Sequence, residues 1–252
     1  MARAAADADV PACCGFNYRF VPAIRYAKRL IDAGELGDIR QFRGQYLQDW
    51  LVDPEASWSW RLDADRAGSG ALGDLGSHTI DLARFLVGER TGGIDRVSGN
   101  MRTFVGERPV ASDDDSQDEQ RPVTVDDAHL GFANGAMGTI AASRVAAGHK
   151  NDHTIEIHGT AGSLRFALER LNELEVHTDD RRGYETILVT EEDDPYLDNW
   201  WPPGHVLGWE HTFVHESYEF LTGVSGETTP AVPSFADGAA VQRVLAGIER
   251  AA

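Results

Sequence analysis

A block of seven strand-like segments between Ile94 and Val189 is the feature that most restricts how this chain can fold. Glycine-containing turns, such as the one at Asn134 and Gly135, separate the segments, as hairpins require. An eighth alternating segment, Ile39–Leu47, precedes the block. Short strands joined by tight turns favour antiparallel pairing. The seven segments of the block are 94–105, 128–132, 137–146, 154–158, 163–166, 174–177 and 185–189.

Helical patterns flank this block on both sides. Pro22 opens a segment with apolar residues at helical spacing, and Gly34 and Gly37 terminate it. Because the strands are consecutive and the helices lie outside them, we predict an α+β fold. Its centre would be a large, mostly antiparallel open sheet with helices on one face. Further helices are predicted at 1–9, 70–87, 209–222 and 234–251, and one more short strand at 10–16.

The charge of the chain excludes several classes of partner. Lys and Arg total 23 against 41 Asp and Glu, a formal net charge of −18 over 252 residues. Nucleic acids and anionic membranes need clustered cations, so we expect neither as a partner. Lysine occurs only at Lys28 and Lys150, and the surface is rich in aspartate. This composition favours a halophilic protein, with acidic drift as the alternative, and segment 112–120 is expected to be a solvated acidic loop.

Two features bear on the cellular compartment. Cys13 and Cys14 are adjacent, so in a strand they point to opposite faces and are poor disulfide partners. We expect buried, unreactive thiols. The first residues lack the apolar stretch of a signal peptide, and no apolar run reaches the length of about 18 residues that a membrane span needs. The sequence therefore predicts a soluble cytoplasmic protein.

Gly68, Gly70 and Gly73 match the spacing G-x-G-x-x-G of dinucleotide-binding loops. That motif needs a buried apolar strand directly before it, so that the glycines form the turn from strand to helix. Here the charged segment 61–67 precedes the glycines. We therefore predict that these glycines bind no dinucleotide, and the chain contains no better candidate.

Asp74, His78 and Asp81 follow these glycines at helical spacing, which places all three on one face of a regular helix. Burying two carboxylates and an imidazole against an apolar core is costly, so this face is predicted to border solvent or a cleft. An imidazole beside carboxylates can exchange a proton with an alcohol near neutral pH. The pattern alone leaves two alternatives, a catalytic group or an exposed polar face.

Two other segments invite a functional interpretation. His211 and His215 are spaced like half of a zinc site, but the third ligand and the glutamate of H-E-x-x-H are missing, so we predict no metal. The aromatic segment 200–205 could form the floor of a sugar site, a surface lid or an oligomer contact.

Three segments together resemble one family. The segment 15–22, with a helix ending at 34–39, is similar to the entry into a second domain. The segment 70–81 has the pattern D-x-x-x-H-x-x-D of a catalytic helix, and 155–164 is similar to a strand–turn–strand signature. In combination they resemble the Gfo/Idh/MocA oxidoreductases, which include relatives of glucose–fructose oxidoreductase and inositol dehydrogenase.

The resemblance implies a domain organisation and a cofactor. Members of this family begin with a Rossmann domain, so residues 1–15 would be a remnant of its end and 16–252 the substrate-binding and catalytic domain. The N-terminal Rossmann domain itself would be absent. The implied cofactor is NAD or NADP, which this chain alone is not expected to bind. The implied partners are a small-molecule sugar or polyol and a separate Rossmann-domain chain.

The resemblance also implies roles for single residues. His78 would be the catalytic acid/base, paired with Asp74. Residues that would contact substrate or line its wall are Asp81, Tyr18, Arg19, Trp60 and Arg61.

Two kinds of function follow from these expectations. The first is the substrate domain of an NAD(P)-dependent dehydrogenase acting on a hydroxyl of a sugar or polyol. The alternative is a non-catalytic sugar-binding module or an oligomer scaffold. We also expect a homo-oligomer, because four helices cannot cover both faces of the sheet. The uncovered face is expected to be apolar, with Val97, Met137, Ile140 and Ile155.

Overall fold

An eight-stranded sheet forms the centre of the computed structural model, which describes residues 1–109, 125–227, 229 and 231–252. The acidic segment 112–120 lies outside this description. The strands are β1 Ile39–Leu47, β2 Ile94–Arg102, β3 Val125–Phe132, β4 Met137–Ser143, β5 Asp152–Gly159, β6 Gly162–Ala167, β7 Glu173–Thr178 and β8 Glu185–Leu188. The α-helices are α1 Ala2–Ala8, α2 Pro22–Asp32, α3 Ala64–Ala67, α4 Ser77–Thr91, α5 His211–Val224 and α6 Phe235–Ala251.

The sheet is antiparallel except at its centre. Its strand order is β2-β3-β4-β1-β5-β6-β7-β8, and β1 pairs with β4 in parallel. All other neighbouring pairs are antiparallel. In the parallel pair Leu47 lies opposite Ser143, so both strands end at the same edge of the sheet. The residues that follow them, Gln48 and Arg144, therefore enter the same region of the molecule.

The helices and the core lie on one face of the sheet, as predicted. Helix α2 packs on β6 and β7, α4 on β1 and β2, and α6 on β2. Alternation along each strand places one set of apolar side chains under these helices. Phe42, Ile140, Ile155 and Leu164 are all buried in this layer. The α+β fold class, with a mostly antiparallel open sheet, is confirmed.

The opposite face of the sheet is polar, and the expectation of an apolar open face is wrong. Ile140 and Ile155 point into the core, and Val97 packs against the same core. Of the four residues named for that face, Met137 alone is exposed there, at 67%. The strand register instead aligns a polar row across the open face, along a shallow depression of about 760 Å³: His129, Thr139, Arg43, Glu156, Arg165 and Glu175.

The predicted strand at 10–16 does not form. The segment is extended, but a strand needs a neighbour to accept its hydrogen bonds. Two of its backbone bonds join Cys14 N–H to Pro233 O and Phe16 N–H to Cys14 O, both at 2.8 Å. Cys13 and Cys14 are free thiols, and both are partly buried rather than fully enclosed. Burial nevertheless raises the pKa of each thiol.

Within the described ranges, no helix is both long enough and apolar enough to traverse a lipid bilayer.

Candidate active site

The predicted helix at 70–87 consists of two parts. A wide π-helical turn, Leu72–Gly76, leads into helix α4. A π-turn closes its hydrogen bonds over five residues rather than four, so residues across it no longer follow the 3.6-residue period. Helix α4 lies directly on β1 because Gly44 has no side chain: a Cβ there would lie 2.3 Å from Thr79 Cγ2. The site helix is thus fixed against the central strand.

Asp74, His78 and Asp81 do not form a common exposed stripe, contrary to the prediction. Asp74, in the π-turn, is 52% exposed, His78 is partly buried, and Asp81 is 1% exposed. The extra residue of the π-turn rotates Asp74 away from the line that a regular helix would give. Asp81 avoids the cost of a buried lone charge because it has a buried partner.

That partner is Arg19, and the assignment of both residues as substrate contacts stays a prediction. Arg19 Nε donates to Asp81 Oδ2 at 2.7 Å, and Nη2 donates to Oδ1 at 2.5 Å. Arg19 is 4% exposed, and its guanidinium carbon lies 5.0 Å from the centre of the Phe85 ring. Because both carboxylate oxygens are occupied and both side chains are enclosed, this pair contributes to the packing beneath the site.

His78 lies among aromatic rings. Its ring centre is 4.9 Å from that of Tyr18, 5.7 Å from Phe16 and 6.2 Å from Tyr46, all edge-on. Its Nδ1 atom is buried without a hydrogen-bond partner among the described residues. Burial lowers the pKa of His78 to about 4, and the negative charge of Asp74 opposes this shift. The imidazole is therefore neutral at physiological pH.

A directed chain of hydrogen bonds runs past His78. Tyr18 and Tyr46 hydroxyl oxygens are 2.6 Å apart, and Tyr46 donates to Asn151 Oδ1 at 2.8 Å. Because an amide oxygen only accepts, the Tyr46 proton is committed to Asn151 and the Tyr18 proton to Tyr46. We call these three residues the tyrosine chain. Burial, reinforced by Tyr18, raises the pKa of Tyr46 above its usual range.

A second histidine packs against the ring of Tyr46. His153 is fully buried, stacks on Tyr46 at 4.5 Å with the rings nearly parallel, and lies 3.1 Å from Thr79 Oγ1 through Nε2. Burial first, and then the neighbouring His78, hold the pKa of His153 well below its ordinary value. His153 is thus a neutral packing partner that holds the Tyr46 ring in place.

The side chain of Asp74 binds the guanidinium of Arg144, the residue that follows strand β4. Arg144 follows β4, is 1% exposed, and binds Asp74 Oδ2 through Nη2 in a short ion pair. Its guanidinium carbon also lies 5.6 Å from the centre of the Trp50 ring. Arg144 Nε and Nη1 have no hydrogen-bond partner in the described part of the chain. The buried Arg144 guanidinium thus holds the Asp74 side chain beside the end of β4.

Trp60 and Arg61 lie on the surface. They belong to a short 3-10 turn, both are exposed, and the Arg61 guanidinium carbon is 4.7 Å from the centre of the Trp60 ring. Across the described residues, no hydrogen bond or ring contact joins either of them to His78. Their assignment as substrate wall stays a prediction.

The glycines at 68–73 do not form a dinucleotide cradle. Helix α3 and a 3-10 turn precede them, and the π-turn follows, so the strand required before such a loop is missing, as predicted. No other strand in the described ranges leads through a G-x-G-x-x-G turn into a helix. The residues described here therefore do not fit the pyrophosphate of a dinucleotide.

The two histidines of α5 have other partners. His215 Nδ1 lies 3.0 Å from Phe20 O, and its Nε2 accepts from Trp200 Nε1 at 2.8 Å. His211 Nδ1 accepts from the backbone N–H of Gly208 at 3.1 Å. Trp200 is thus bonded to the helix and does not form an open floor. Among the described side chains, no group of three His, Cys, Asp or Glu is arranged to hold a metal ion.

Sequence reasoning did not select four of the residues around the site: Tyr46, His153, Arg144 and Asn151. Tyr46 lies within the alternating segment Ile39–Leu47, whose pattern indicates only a strand. Arg144 follows β4, which pairs with β1 in parallel, and Asn151 precedes β5, which pairs with β1 on its other side. A pattern of local spacing carries no signal of this arrangement.

Comparison with known proteins gives evidence on the family of the chain. The family model described as the GFO/IDH/MocA C-terminal domain matches residues 24–165. Levoglucosan dehydrogenase of Pseudarthrobacter phenanthrenivorans is 41% identical over an alignment of 248 positions that covers 92% of this chain and 62% of that protein. The chain thus spans less than two thirds of the length of this relative.

Solved structures agree with this comparison. An oxidoreductase domain protein from Kribbella flavida is 45% identical, with a TM-score of 0.88 over 99% of this chain and 66% of that one. Levoglucosan dehydrogenase in complex with NADH and levoglucosan is 39% identical, with a TM-score of 0.85 over 94% and 63%. With its fold, its His78 helix and a family match over more than half its length, the chain belongs to the GFO/IDH/MocA C-terminal domain family.

Proposed function

We propose that this chain is the substrate domain of an NAD(P)-dependent oxidoreductase that acts on a hydroxyl group of a sugar or polyol. The observation that carries the proposal is the neutral His78, whose ring lies beside the tyrosine chain. His78 is in helix α4, and Asp74 is in the π-turn that leads into this helix. The similarity to levoglucosan dehydrogenase supports a sugar as substrate. Levoglucosan is therefore the first substrate to test.

His78 would exchange a proton with the substrate oxygen. Its Nδ1 is enclosed, so Nε2 is the atom through which the ring would act. Oxidation of an alcohol requires removal of the hydroxyl proton, and a neutral imidazole can accept it. Asp74 opposes the low pKa of His78, so it would stabilise the imidazolium as that proton arrives. Arg144 would hold the Asp74 carboxylate in place during this step.

The other proposed residues would act at different distances from His78. Tyr18 contacts His78 directly and would position its ring. Arg19 and Asp81 would hold Tyr18 and α4 together from below. Trp60 and Arg61 would line the outer wall of the substrate site, a role that depends on where the sugar extends.

The cofactor, NAD or NADP, would accept the hydride that leaves the carbon atom. Since the described residues do not fit its pyrophosphate, we propose that a Rossmann domain outside residues 16–252 supplies that site, in the same protein or as a separate chain. Residues 1–15 would then be the end of such a domain. The match of this chain to 62% of its relative is consistent with that division.

We also retain the expectation of a cytoplasmic, salt-adapted homo-oligomer as a proposal. Its interface would not be apolar. Arg43, Glu156, Arg165 and Glu175 alternate in charge across the open face, so contact between two copies would rely on ion pairs and be sensitive to salt. Light scattering at low and high salt tests this proposal, and a monomer under both conditions would contradict it.

The decisive experiment uses the chain completed with a Rossmann domain, in cis or in trans, with levoglucosan and both nicotinamide cofactors. We expect His78→Ala to lower kcat/KM by about 10²- to 10⁴-fold, the usual loss of acid/base help. His211→Ala is the matched control and should be near wild type. If His78→Ala keeps full activity, the assignment is wrong. Sugar binding without turnover would favour the non-catalytic module.

A further inference from the structure

Two half-exposed tryptophan rings lie at opposite ends of the tyrosine chain. At one end, Trp209 Nε1 donates to the Tyr18 hydroxyl at 3.4 Å. At the other end, Gln48 Nε2 donates to Asn151 Oδ1 at 2.9 Å, and Gln48 Oε1 accepts from Trp50 Nε1 at 2.8 Å. An unbroken series of hydrogen bonds therefore joins the two indoles across the wall that holds His78.

We propose that Trp50 and Trp209 are the two aromatic walls of a pyranose-binding subsite, one beside Asp74 and the other beside His78. This inference rests on the proposed function and specifies which surfaces hold the sugar ring. Neither tryptophan was selected from the sequence, which pointed to Trp60 and to the segment 200–205.

The hydrogen bonds fix both indoles in one orientation. Every donor in the series points toward Asn151 Oδ1, which can only accept, so the direction of each bond is determined. A side chain that is held before the ligand arrives loses little conformational entropy on binding. Both rings nevertheless remain accessible, with Trp50 44% exposed and Trp209 47% exposed. This combination of immobility and exposure is what a preformed binding wall requires.

Trp50 is adjacent to Asp74 through Arg144. The guanidinium of Arg144 lies close to the Trp50 ring and also pairs with Asp74, and it is itself buried. The loop that carries Trp50 is fixed to the end of β4, because Leu51 N–H donates to Arg144 O at 3.0 Å and Gln48 N–H donates to Ser143 O at 2.8 Å. The parallel β1–β4 pair thus brings Trp50 and Asp74 together.

Trp209 is adjacent to His78 through Tyr18. Tyr18 receives the indole hydrogen bond of Trp209 and contacts the His78 ring edge-on. The Trp209 ring is supported from helix α5 by Phe213, whose ring centre is 4.9 Å away at an angle of 74°. The two tryptophans thus flank the two residues proposed to carry the chemistry.

The chemistry of the walls selects cyclic sugars. A pyranose presents C–H groups on its ring faces and hydroxyl groups around its edge. The C–H faces are apolar and slightly positive, so they match the electron-rich face of an indole. An open-chain polyol does not hold its C–H groups in a common plane. The subsite should therefore bind a pyranoside more tightly than a linear polyol of the same size.

Another tryptophan serves as the internal control. Trp201 lies against His205 with ring centres 6.5 Å apart. It is more exposed than Trp50 and Trp209, at 69%. If exposure alone determined sugar contact, this ring would respond to a sugar first.

The test is a titration of the ¹⁵N-labelled chain, with its six indole N–H signals assigned by single Trp→Phe variants. The probe is methyl β-D-glucopyranoside, and D-sorbitol is the linear comparator. We expect the Trp50 and Trp209 signals to shift with the pyranoside and that of Trp201 to stay. Trp50→Ala and Trp209→Ala should each weaken binding about tenfold, the order of magnitude of one aromatic contact. Trp201→Ala should leave it unchanged.

The outcomes separate this inference from the proposed function. If the pyranoside shifts the His78 signals while Trp50→Ala and Trp209→Ala bind it normally, Trp50 and Trp209 are not the walls of the subsite. The proposed sugar site at His78 is then still supported. If Trp201 responds instead of Trp50 and Trp209, these two residues are also not the walls of the subsite. If no signal responds to any probe, both proposals fail for this chain. Circular dichroism of each variant verifies folding, and Trp50→Phe, which keeps a ring, should retain part of the affinity.

Discussion

Arg19 and Asp81 lie 62 residues apart in the sequence and form a buried, two-pronged ion pair that holds Tyr18 against His78. Tyr18 precedes Arg19 in a 3-10 turn, and Asp81 follows His78 by almost one turn of α4. The pair therefore determines the distance between the turn and the helix. The assignment of Arg19 and Asp81 as substrate contacts stays a prediction, and the structure shows that the two side chains bind each other.

Removing one partner of this pair should destabilise the fold. We expect Asp81→Ala to lower the free energy of unfolding by about 3–5 kcal/mol, because it leaves the buried Arg19 charge with only the longer ion pair to Asp237 Oδ1 at 3.8 Å. Urea denaturation measures the effect. Asp32→Ala is the control, since Asp32 pairs with Lys28 on the surface and should cost less than about 1 kcal/mol. Equal losses in the two variants would contradict the structural role of Asp81.

Glu216 should make the free energy of unfolding fall as the pH rises from about 4.5 to about 7. Burial, and then the charge of Asp81, raise the pKa of this carboxyl from 4.5 to about 7, and its Oε1 has no hydrogen-bond partner among the described residues. Between these values the unfolded chain loses a proton that the folded chain keeps, so unfolding becomes easier. The loss should be complete above pH 7 and amount to about 2–3 kcal/mol.

Glu216→Gln tests this prediction because it keeps the shape and removes the titration. The variant should be more stable than wild type at pH 8 and similar to it at pH 4.5. Thermal melting at the two pH values gives the comparison. A constant difference between variant and wild type across this range would show that Glu216 does not titrate as described.

The pKa of His78 should lie far below that of an ordinary histidine. Its pKa of about 4 means that it stays neutral between pH 5 and 8, and the stability linked to its neutral form is present above pH 6.5 and lost as the pH falls through about 4. NMR titration of its ring signals, assigned with His78→Gln, measures the midpoint. Asp74→Asn should lower the midpoint further, because Asp74 attracts the imidazolium. A midpoint near 6.5 in wild type would refute the described burial.

The fold should depend on salt. A net charge of −18 causes repulsion that is screened over about 3 Å in 1 M salt but over more than 10 Å at about 0.05 M. We therefore expect the melting temperature to fall markedly during dialysis to low salt, as followed by circular dichroism. An unchanged melting temperature across that range would favour acidic drift over adaptation to salt.

Local patterns in the sequence predicted most elements of the fold. Strand β1 has the predicted bounds, and all seven later strands differ from the predicted ones by only a few residues at either end. Pro22 begins α2 as predicted. These successes depend on hydrophobic alternation and on turn residues, which act within a few positions. The segment 10–16 has the same apolar pattern, yet pattern alone cannot supply the neighbouring strand that pairing requires.

The site was less predictable because its determinants are not local. The D-x-x-x-H-x-x-D spacing assumes one regular helix, but the π-turn at Leu72–Gly76 alters that geometry. Arg19 was proposed as a wall residue, and only the tertiary structure shows that it neutralises Asp81. The open face was misjudged because Ile140 and Ile155 were assigned to the wrong side of their strands. A shift of one residue exchanges the two faces.

The parallel contact between β1 and β4 also governs when the site can form during folding. Gly44 pairs with Ile140, so nearly one hundred residues must be brought into a closed loop before the two central strands can meet. Closing such a loop costs entropy before its contacts stabilise the chain. Folds dominated by contacts between residues far apart in the sequence therefore form slowly. Trp50, Arg144 and Asp74 come together only at that step. A partly folded chain should therefore have helices and hairpins but no binding site, and sugar affinity should appear last during refolding.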